Sequence, residues 1–428
     1  MQKKYHKYLL ITYYWPPCGG VSVLRWLKLS KYLCRNDWVA TVLTTENGDF
    51  PFTDTGLVDY QSNEIKVHRT KTHSYKPFFQ RLLGQGEPLP SGSLKTSSSD
   101  SFVKKSLFWA RTQLVAPDMR ILWNNHAYKK AENILVSGIY DAVITTGPPH
   151  STHLIGLRLK EKYPIKWIAD FRDPWTDITY NVNQKRNKII DYIDKDLEKK
   201  VLSKADVVVT VSKIFAENLE ARKKVIVPNA FDEEAFRGVF YEKADFFRIK
   251  YIGTLPEGRI KPMTKVVEWI SEYKDKYEIK DFQISFIGAF PKEPEWLEGK
   301  IQNIPFVTYE KSLDECVNAE ILLLIINQED KNEGIITHKL YEYIASKTFI
   351  LAIGPKNTEV EEILNDTKAG ILVSYDEKEL FLSVFVDKYN LWKASTSSKN
   401  TKKNLSYSVS KTAQQYKEIL EGLADATE

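Results

Sequence analysis

The residues whose types and spacing point most directly to chemistry precede the apolar run FILAI in the second half of the chain. A Glu-Gly loop, Glu333 and Gly334, leads into a predicted helix that starts at about Thr337 and carries Lys339 and Glu342. Free amides at a helix start attract anions, and Lys339 adds a positive charge to them. Glu342 only accepts hydrogen bonds when it is ionised, and it could hold two sugar hydroxyls. The pattern fits a nucleoside diphosphate; the alternative is a surface helix with a weak Lys–Glu pair.

A glycine and an arginine after another predicted strand offer a second contact for phosphate. Gly253 follows the strand RIKYI, and Arg259 comes six residues later within GTLPEGRIK. Because glycine has no side chain, the loop backbone can approach a ligand closely. The guanidinium can then bind phosphate oxygens through two parallel hydrogen bonds.

The first half of the chain has its own glycine loop and a histidine at a strand end. Gly19 and Gly20 follow the strand YLLITYY, although most such pairs are plain turns. His150 follows the strand DAVITT and precedes a helix for which Ser151 is the predicted N-cap. This position favours a neutral imidazole that can donate or accept a hydrogen bond. His153, within the helix, is predicted to pack in the core.

Three charged residues crowd the end of another predicted strand, KWIAD. They are Asp170, Arg172 and Asp173, within DFRDPW. Carboxylates beside an arginine suit the binding of sugar hydroxyls, and they suit a structural ion-pair network equally well. The residues themselves leave both interpretations open.

Composition limits the class of protein. With 428 residues, 43% hydrophobic and 27% charged, the chain resembles a soluble globular protein of two or three domains. The net charge is +5, and residues 1–150 hold 19 Lys and Arg against 11 Asp and Glu. This excess fits a half that meets an anionic partner such as a phospholipid surface, or a surface that is simply lysine-rich. Cys18, Cys34 and Cys316 lack metal-ligand spacing and indicate a reducing compartment, and no apolar run approaches the roughly 20 residues of a membrane span.

Strands and helices alternate along the chain, which predicts parallel sheets. The alternation restarts at 248 after a polar connector. We therefore predict two Rossmann-like domains, 1–235 and 236–408, facing each other across a cleft, with a last helix in 409–428 packed back on the first domain. The Gly- and Ser-rich stretch 84–100 is predicted to be a loop, and the lack of a GxGxxG sequence argues against a dinucleotide dehydrogenase.

The first predicted helix, VSVLRWLKLSKYLCR, has an apolar stripe and several basic residues. The spacing predicts a helix that covers the sheet and keeps a basic outer side. The apolar stripe comprises Val23, Trp26, Leu27 and Leu33, and the basic side comprises Arg25, Lys28, Lys31 and Arg35.

Five stretches in this order resemble the retaining glycosyltransferases of the family 4-like group, which have the GT-B fold. They are WPPCGGVSVLRWLK, TGPPHSTHLIGLRLK, WIADFRDPWTD, VPNAFD and HKLYEYIASKTFILAIGP. The resemblance covers nearly the whole chain. It implies a nucleotide sugar in the carboxy-terminal half and a glycan or lipid-linked acceptor in the amino-terminal half. It also implies a role in the synthesis of bacterial cell-envelope polysaccharide, in the cytoplasm or at the inner face of the membrane.

The resemblance assigns roles in the first half. Gly19 and Gly20 would lie against the donor phosphates, and His150 would contact the donor sugar. The charged group within DFRDPW would belong to the acceptor side or to inter-domain structure.

In the second half the resemblance assigns a basic clamp. Arg259 falls where the family has a basic residue on the diphosphate, whereas Thr254 stands where an arginine is usual. The clamp is therefore left to Arg259 and Lys339. The implied donor-binding residues are completed by Gly253, Ile336 and Thr337.

The family also has a pair of glutamates in the loop and helix. Glu342 matches the second, which binds ribose. The first would fall on Gly334, and Glu333 stands one position early. A one-residue shift can be absorbed in a loop, whereas on a helix it would turn the side chain away.

The implied chemistry needs no cofactor and no metal. Breaking the anomeric bond leaves negative charge on the diphosphate, which Arg259 and Lys339 would stabilise. In the family the leaving phosphate itself accepts the proton of the acceptor, so no separate carboxylate base is expected. The alternatives are a nucleotide-sugar epimerase of the same fold and a degenerate subunit that binds nucleotide without transfer; no nucleic-acid partner is expected.

Overall fold

The computed structural model describes residues 5–50, 53–72, 113, 115–176, 187–277, 279, 281–288, 299–328, 334–394 and 405–425. The chain forms two compact units. The first comprises Met1–Pro228 and Thr412–Glu428, and the second comprises Asn229–Lys411. The division after Pro228 lies close to the predicted boundary after residue 235. Among the described residues, no helix has the length and apolar character needed to cross a membrane.

Seven parallel strands form the sheet of the first unit. They are β1 (His6–Ile11), β2 (Trp38–Thr45), β3 (Lys66–Thr70), β4 (Ala142–Gly147), β5 (Trp167–Phe171), β6 (Val207–Thr210) and β7 (Lys224–Ile226). Their order across the sheet is β3-β2-β1-β4-β5-β6-β7, so the direction of winding reverses between β1 and β4. The carboxyl ends of the strands at such a reversal are where open α/β sheets bind ligands.

Six parallel strands form the sheet of the second unit. They are β8 (Phe247–Ile252), β9 (Phe282–Ile287), β10 (Gln302–Ile304), β11 (Ile321–Ile325), β12 (Phe349–Ile353) and β13 (Gly370–Val373). The order is β10-β9-β8-β11-β12-β13, with the reversal between β8 and β11. β11 and β12, ILLLI and FILAI, are continuous apolar runs, as expected of strands whose two faces are both covered.

Helices connect the strands of both sheets. In chain order they are α1 (Val21–Arg35), α2 (Gly56–Asp59), α3 (Asn124–Ser137, after a 3₁₀ turn at Met119–Trp123), α4 (Ser151–Lys162), α5 (Lys188–Lys204), α6 (Lys213–Asn218), α7 (Glu257–Tyr277), α8 (Tyr309–Val317), α9 (Lys339–Ser346), α10 (Glu359–Thr367), α11 (Lys378–Lys393) and α12 (Val409–Ala424). The strand β3 lies within residues 50–125, where the sequence shows no regular alternation of strands and helices. The predicted loop 84–100 lies outside the described residues.

Helix α1 is buried on nearly all sides, so the prediction of a basic outer face is wrong for two of its residues. Arg25 is only 4% exposed and Lys28 only 1%. For Arg25 the cause is α12, whose Tyr416 ring lies 5.0 Å from the ring of Trp26. Arg25 also donates a hydrogen bond to the Tyr416 hydroxyl, 391 residues later in the chain. The residue pattern of α1 alone cannot reveal that α12, so far along the chain, covers it.

Helix α7 begins at Glu257 and contains Pro262 in its second turn. Proline has no N–H, so the carbonyl of Gly258 lacks its usual partner within the helix. The backbone N–H of Gln328 donates to that carbonyl at 2.9 Å. The proline thus leaves the Gly258 carbonyl free to hold the loop after β11. Arg259, which was predicted in a glycine loop, lies in the first turn of α7.

Candidate functional site

Cationic side chains converge at the carboxyl end of β8, at the reversal point of the second sheet. The hydroxyl oxygen of Tyr251 is their common partner. Lys339 Nζ donates to it at 3.0 Å and Arg259 Nη1 at 3.3 Å, while the hydroxyl itself donates to the carbonyl of Thr254 at 2.8 Å. Because both cations can only donate, the phenol directs its proton to Thr254 and its lone pairs to the cations.

The ring of Tyr251 is fixed by packing. It is 1% exposed and stacks on Phe286 of β9, with ring centroids 5.3 Å apart and planes at 15°. Lys339 Nζ also lies 4.1 Å from the centroid of the tyrosine ring. The ammonium therefore contacts both the π face and the oxygen of one immobile side chain.

Arg259 is held from a second direction by the loop after β11. Its Nε donates to Asn327 Oδ1 at 2.6 Å. The hydroxyl of Tyr375 donates to the carbonyl of Asn327 at 2.9 Å and so fixes that residue in turn. The guanidinium is therefore oriented by groups on both strands that flank the reversal point.

Lys339 is placed by helix α9, which starts two residues later than predicted. Tyr343, one turn further along α9, accepts the backbone N–H of Ile252 at 3.0 Å. Residues four apart lie on one face of a helix, so Lys339 and Tyr343 both reach the end of β8. This pair of contacts fixes the distance between α9 and β8.

Two glycines leave the room that this arrangement needs. Gly253 has φ 117° and Gly288 has φ 144°, both in the region that favours glycine. A Cβ atom on Gly253 would lie 2.4 Å from Cε of Lys339, and one on Gly288 would lie 2.3 Å from the carbonyl oxygen of Gly253. The lysine stem thus lies directly against the Gly253 backbone.

The cluster carries positive charge without a balancing carboxylate. Among the described residues, neither Lys339 nor Arg259 forms an ion pair with Asp or Glu. Burial, followed by the charge of Arg259, lowers the pKa of Lys339, although Tyr251 acts in the opposite direction. Burial disfavours ionisation of Tyr251, but the charges of Lys339 and Arg259 outweigh it and lower the tyrosine pKa. Such a site gains stability when an anion enters it.

Glu342 belongs to a neighbouring cluster on α9. Its side chain is 13% exposed, and Oε1 lies 3.6 Å from Nδ1 of His338. Burial, and then the charges of Glu342 and Asp232, raise the pKa of Tyr309 well above its ordinary value. Glu342 therefore lies at the edge of a buried polar cluster, where its carboxyl oxygens can accept hydrogen bonds from hydroxyl groups of a ligand.

At the reversal point of the first sheet, Arg172 binds backbone carbonyls. Its Nε donates to Gly147 at 3.0 Å, Nη1 to Ser22 at 3.0 Å and Nη2 to Pro148 at 2.6 Å. The guanidinium thereby joins the end of β4 to the start of α1. All three nitrogens are used within the protein.

His150 lies on the same edge of the first sheet and precedes α4. It is 6% exposed, and its ring stacks on Trp175 at 5.3 Å and 10°. Burial, followed by the charge of Arg172, lowers the pKa of His150 to about 3, so the imidazole is neutral at physiological pH. Ser151 is the first residue of α4 and not its N-cap, because Asp118 accepts from the Ser151 backbone N–H at 2.9 Å and from its hydroxyl at 2.8 Å.

Asp170 is wholly buried in a hydrogen-bonded network. Its carboxylate accepts from Tyr416 at 2.6 Å, Trp26 at 2.7 Å, Thr146 at 2.8 Å and Arg25 at 3.2 Å. Burial favours the neutral acid, but the charge of Arg25 and these hydrogen bonds outweigh it and lower the pKa of Asp170. The network ties α12 and α1 to β5, so Asp170 acts in the described structure as a structural anion.

Solved structures with the same two-unit architecture match almost the whole chain. Sucrose-phosphate synthase from Thermosynechococcus elongatus is 13% identical with a TM-score of 0.58, covering 99% of this chain and 97% of that one. α,α-Trehalose 6-phosphate synthase from Burkholderia multivorans is 9% identical with a TM-score of 0.58, covering 99% and 98%. A protein from Listeria monocytogenes assigned as a UDP-N-acetylglucosamine 2-epimerase is 11% identical with a TM-score of 0.55, covering 99% and 98%.

These structures share the two parallel-sheet units described above. The chain has the GT-B fold. At 9–13% identity the likeness extends to the fold and not to the reaction. No family model matches the sequence, and no curated protein matches it significantly.

The second unit of this GT-B chain brings several of the predicted residues together. Gly253, Arg259 and Lys339 all lie around Tyr251. Thr254 contributes its backbone carbonyl, while its side chain is exposed. The remaining predicted residues before α9 are Gly334 in a buried turn, Ile336 and Thr337, which are half-buried, and Glu333, which lies outside the described residues.

The predicted residues of the first unit lie together at its own reversal point. Gly20 has φ 91° and immediately precedes α1, next to buried Gly19. Arg172 and His150 lie at the end of β4 and β5, as described. Asp173 is exposed and lies beside this group.

Tyr251 and Asn327 were not predicted from the sequence as residues of this site. Tyr251 is an interior strand residue that looks like ordinary core. Its signal is a polar-tipped aromatic two positions before the glycine that ends the strand. Asn327 directly follows the apolar run of β11, which marks a strand end at the reversal point. Among the described residues, no group of three or more His, Cys, Asp or Glu side chains could hold a metal ion.

Proposed function

We propose that the protein is a glycosyltransferase that uses a nucleotide diphosphate sugar and binds the diphosphate at Lys339 and Arg259. One observation carries this proposal. Two cations meet at the hydroxyl of Tyr251, at 3.0 and 3.3 Å, without a carboxylate partner among the described residues. Burial of uncompensated charge is unfavourable, so a site that retains it is a candidate for binding an anion.

The position of these cations supports a diphosphate in particular. They lie at the carboxyl end of β8, beside a glycine whose backbone a phosphate can approach. Glu342, one turn along α9, would then accept hydrogen bonds from the ribose hydroxyls. Together these groups fit the two chemically distinct parts of a nucleoside diphosphate.

The same groups supply a transfer mechanism. Cleavage of the anomeric C–O bond leaves an additional negative charge on the diphosphate. Lys339 and Arg259 would stabilise that charge more strongly in the transition state than in the bound donor, which accelerates the chemical step. In this proposal the acceptor oxygen forms its bond to the anomeric carbon on the face that the diphosphate leaves, and the leaving phosphate takes the proton of the acceptor hydroxyl. The sugar therefore keeps its anomeric configuration.

We extend the proposal to the acceptor and to the setting of the reaction. The excess of basic residues in 1–150, 19 against 11 acidic ones, supports a glycan or lipid-linked acceptor presented at an anionic membrane face. Synthesis of a bacterial envelope polysaccharide is the process that such an acceptor implies. Because the leaving group is neutralised by side chains, we expect transfer to persist in excess EDTA.

A panel of nucleotide sugars tests the proposal. Thermal shift on the full chain selects the donors that stabilise it. The selected donor is then incubated with and without candidate lipid-linked and glycan acceptors, and NMR follows the anomeric proton. We expect acceptor-dependent release of the nucleoside diphosphate and a product that keeps the anomeric configuration.

The same panel separates the alternatives. An epimerase, the activity assigned to one of the structures that share this fold, would convert the donor to its epimer without any acceptor. A subunit that only binds nucleotide would be stabilised by donors and would release no nucleoside diphosphate. Failure of every nucleotide and nucleotide sugar to stabilise the chain would contradict the proposed function.

A further inference from the structure

Tyr251 contacts both Lys339 and Arg259. Its hydroxyl oxygen receives hydrogen bonds from Lys339 at 3.0 Å and Arg259 at 3.3 Å. Side chains of like charge repel each other, so two cations do not gather at one point unless a group between them holds them there. An anion would do this more strongly, but the chain supplies a neutral phenol instead.

The phenol cannot change its orientation without breaking contacts. Its ring is 1% exposed and stacked on Phe286, and its proton is committed to the Thr254 carbonyl at 2.8 Å. A phenol whose proton points away from the cations presents only acceptor lone pairs to them. The backbone turn at Thr254 therefore determines which way the tyrosine oxygen faces.

We propose that Tyr251 is the positioning residue of this site, and that its oxygen holds Lys339 and Arg259 ready for a diphosphate before the ligand arrives. The identity of the ligand rests on the proposed function, but the placement of the two cations does not. Because the phenol is neutral, it leaves the positive charge of the pair available to the ligand. A carboxylate at the same place would neutralise part of that charge and compete with phosphate.

Tyr251→Phe tests this inference because it keeps the ring and removes only the oxygen. The matched control is Tyr8→Phe. Tyr8 is also a fully buried tyrosine in the first strand of its sheet, but its hydroxyl donates to Ser30 at 3.2 Å and contacts no cation in the part of the chain that the structure describes. Both variants lose one buried phenolic hydroxyl, so differences between them report the role of the cations.

The first measurement needs no ligand. Trace labelling of amines with acetic anhydride, read by mass spectrometry across a pH series, reports the ionisation and accessibility of Lys339. In Tyr251→Phe the ammonium loses an acceptor that favours its charged form, so we expect Lys339 to be labelled several-fold faster than in wild type at a given pH. In Tyr8→Phe we expect the labelling rate of Lys339 to stay unchanged.

The second measurement uses inorganic pyrophosphate as the probe, titrated calorimetrically into the full chain. We expect about a tenfold loss of affinity in Tyr251→Phe and none in Tyr8→Phe, in line with one hydrogen bond to a charged group. Wild-type labelling together with wild-type affinity in Tyr251→Phe would overturn the inference. Altered labelling in a protein that binds no pyrophosphate would instead remove the proposed function and leave the positioning role of Tyr251 in place.

Discussion

Both sheets reverse their winding near the middle, and both have cationic side chains at the reversal point. The two groups of cations differ in their hydrogen-bond partners. At the reversal of the first sheet, all three guanidinium nitrogens of Arg172 donate hydrogen bonds to backbone carbonyls at 2.6–3.0 Å. Nearby, Arg25 is paired with the Asp170 carboxylate at 3.2 Å. At the reversal of the second sheet, Lys339 and Arg259 share a neutral phenol and have no carboxylate partner among the described residues. Arg172 and Arg25 thus have partners within the first unit, whereas Lys339 and Arg259 keep a positive charge that no carboxylate among the described residues balances.

This contrast shows that position in the fold does not by itself decide the role of a charged residue. Both groups lie where open α/β sheets bind ligands. What differs is whether the hydrogen-bonding capacity of the cation is already satisfied within the chain. We therefore expect substitution of Arg25 to change stability and substitution of Lys339 to change activity.

Arg25→Met provides the largest expected effect on stability. It removes one partner of a buried ion pair and leaves the Asp170 carboxylate without its counter-charge. We expect the free energy of unfolding to fall by about 3–5 kcal/mol, measured by urea denaturation. A variant as stable as wild type would contradict the structural role of the Arg25–Asp170 pair.

Lys339→Met should reduce activity without lowering stability, in contrast to Arg25→Met. With the donor that the nucleotide-sugar panel selects, we expect kcat to fall by roughly 100-fold, comparable to removal of one preorganised donor. Stability should not fall. Burial lowers the pKa of Lys339 in the folded protein, so its charge reduces the free energy of unfolding. This reduction disappears only as the pH rises towards the ordinary lysine pKa of about 10.4. A large loss of stability in this variant would show that Lys339 is structural.

His150→Phe sharpens the comparison through the pH dependence of stability. The unfolded imidazole is protonated below pH 6.5, whereas the folded one stays neutral down to about 3. The unfolded state therefore binds more protons in this window, and wild-type stability falls as the pH drops from 6.5 towards 3. At pH 5 this contribution is about 2 kcal/mol. We expect wild type to lose that much more than the variant between pH 7 and pH 5, measured by urea unfolding; equal losses would contradict the buried neutral state.

Gly253→Ala and Gly238→Ala form a matched pair with smaller expected effects. Both glycines have positive φ, 117° and 81°, so both alanines are strained by about 1–2 kcal/mol. Only at Gly253 would the new Cβ meet a neighbour, Cε of Lys339 at 2.4 Å; at Gly238 nothing lies within 4 Å. We therefore expect similar small losses of stability and a loss of pyrophosphate affinity only in Gly253→Ala. Equal pyrophosphate affinities in the two variants would show that Gly253 is not part of the binding site.

The two parallel sheets could be predicted from the sequence because strand-like and helix-like stretches alternate along most of the chain. The sequence also predicted that Lys339 and Arg259 act in the same half of the chain. It did not reveal Tyr251, since a buried aromatic on a strand has the same pattern whether or not its hydroxyl has a partner. Nor did it reveal the burial of Arg25, which depends on Tyr416 at the far end of the chain. Contacts between distant segments leave no local pattern.

Calorimetric titration of UDP and GDP into wild type and Lys339→Met tests the central claim most directly. We expect at least one nucleotide to bind the wild type, with an affinity that falls as the pH rises towards 10.5, because Lys339 loses its proton below that value. The variant should bind that nucleotide roughly 10- to 100-fold more weakly and without this pH dependence, as loss of one charge-assisted hydrogen bond implies. Equal affinity in the two proteins, or no binding of either nucleotide to the wild type, would contradict the account.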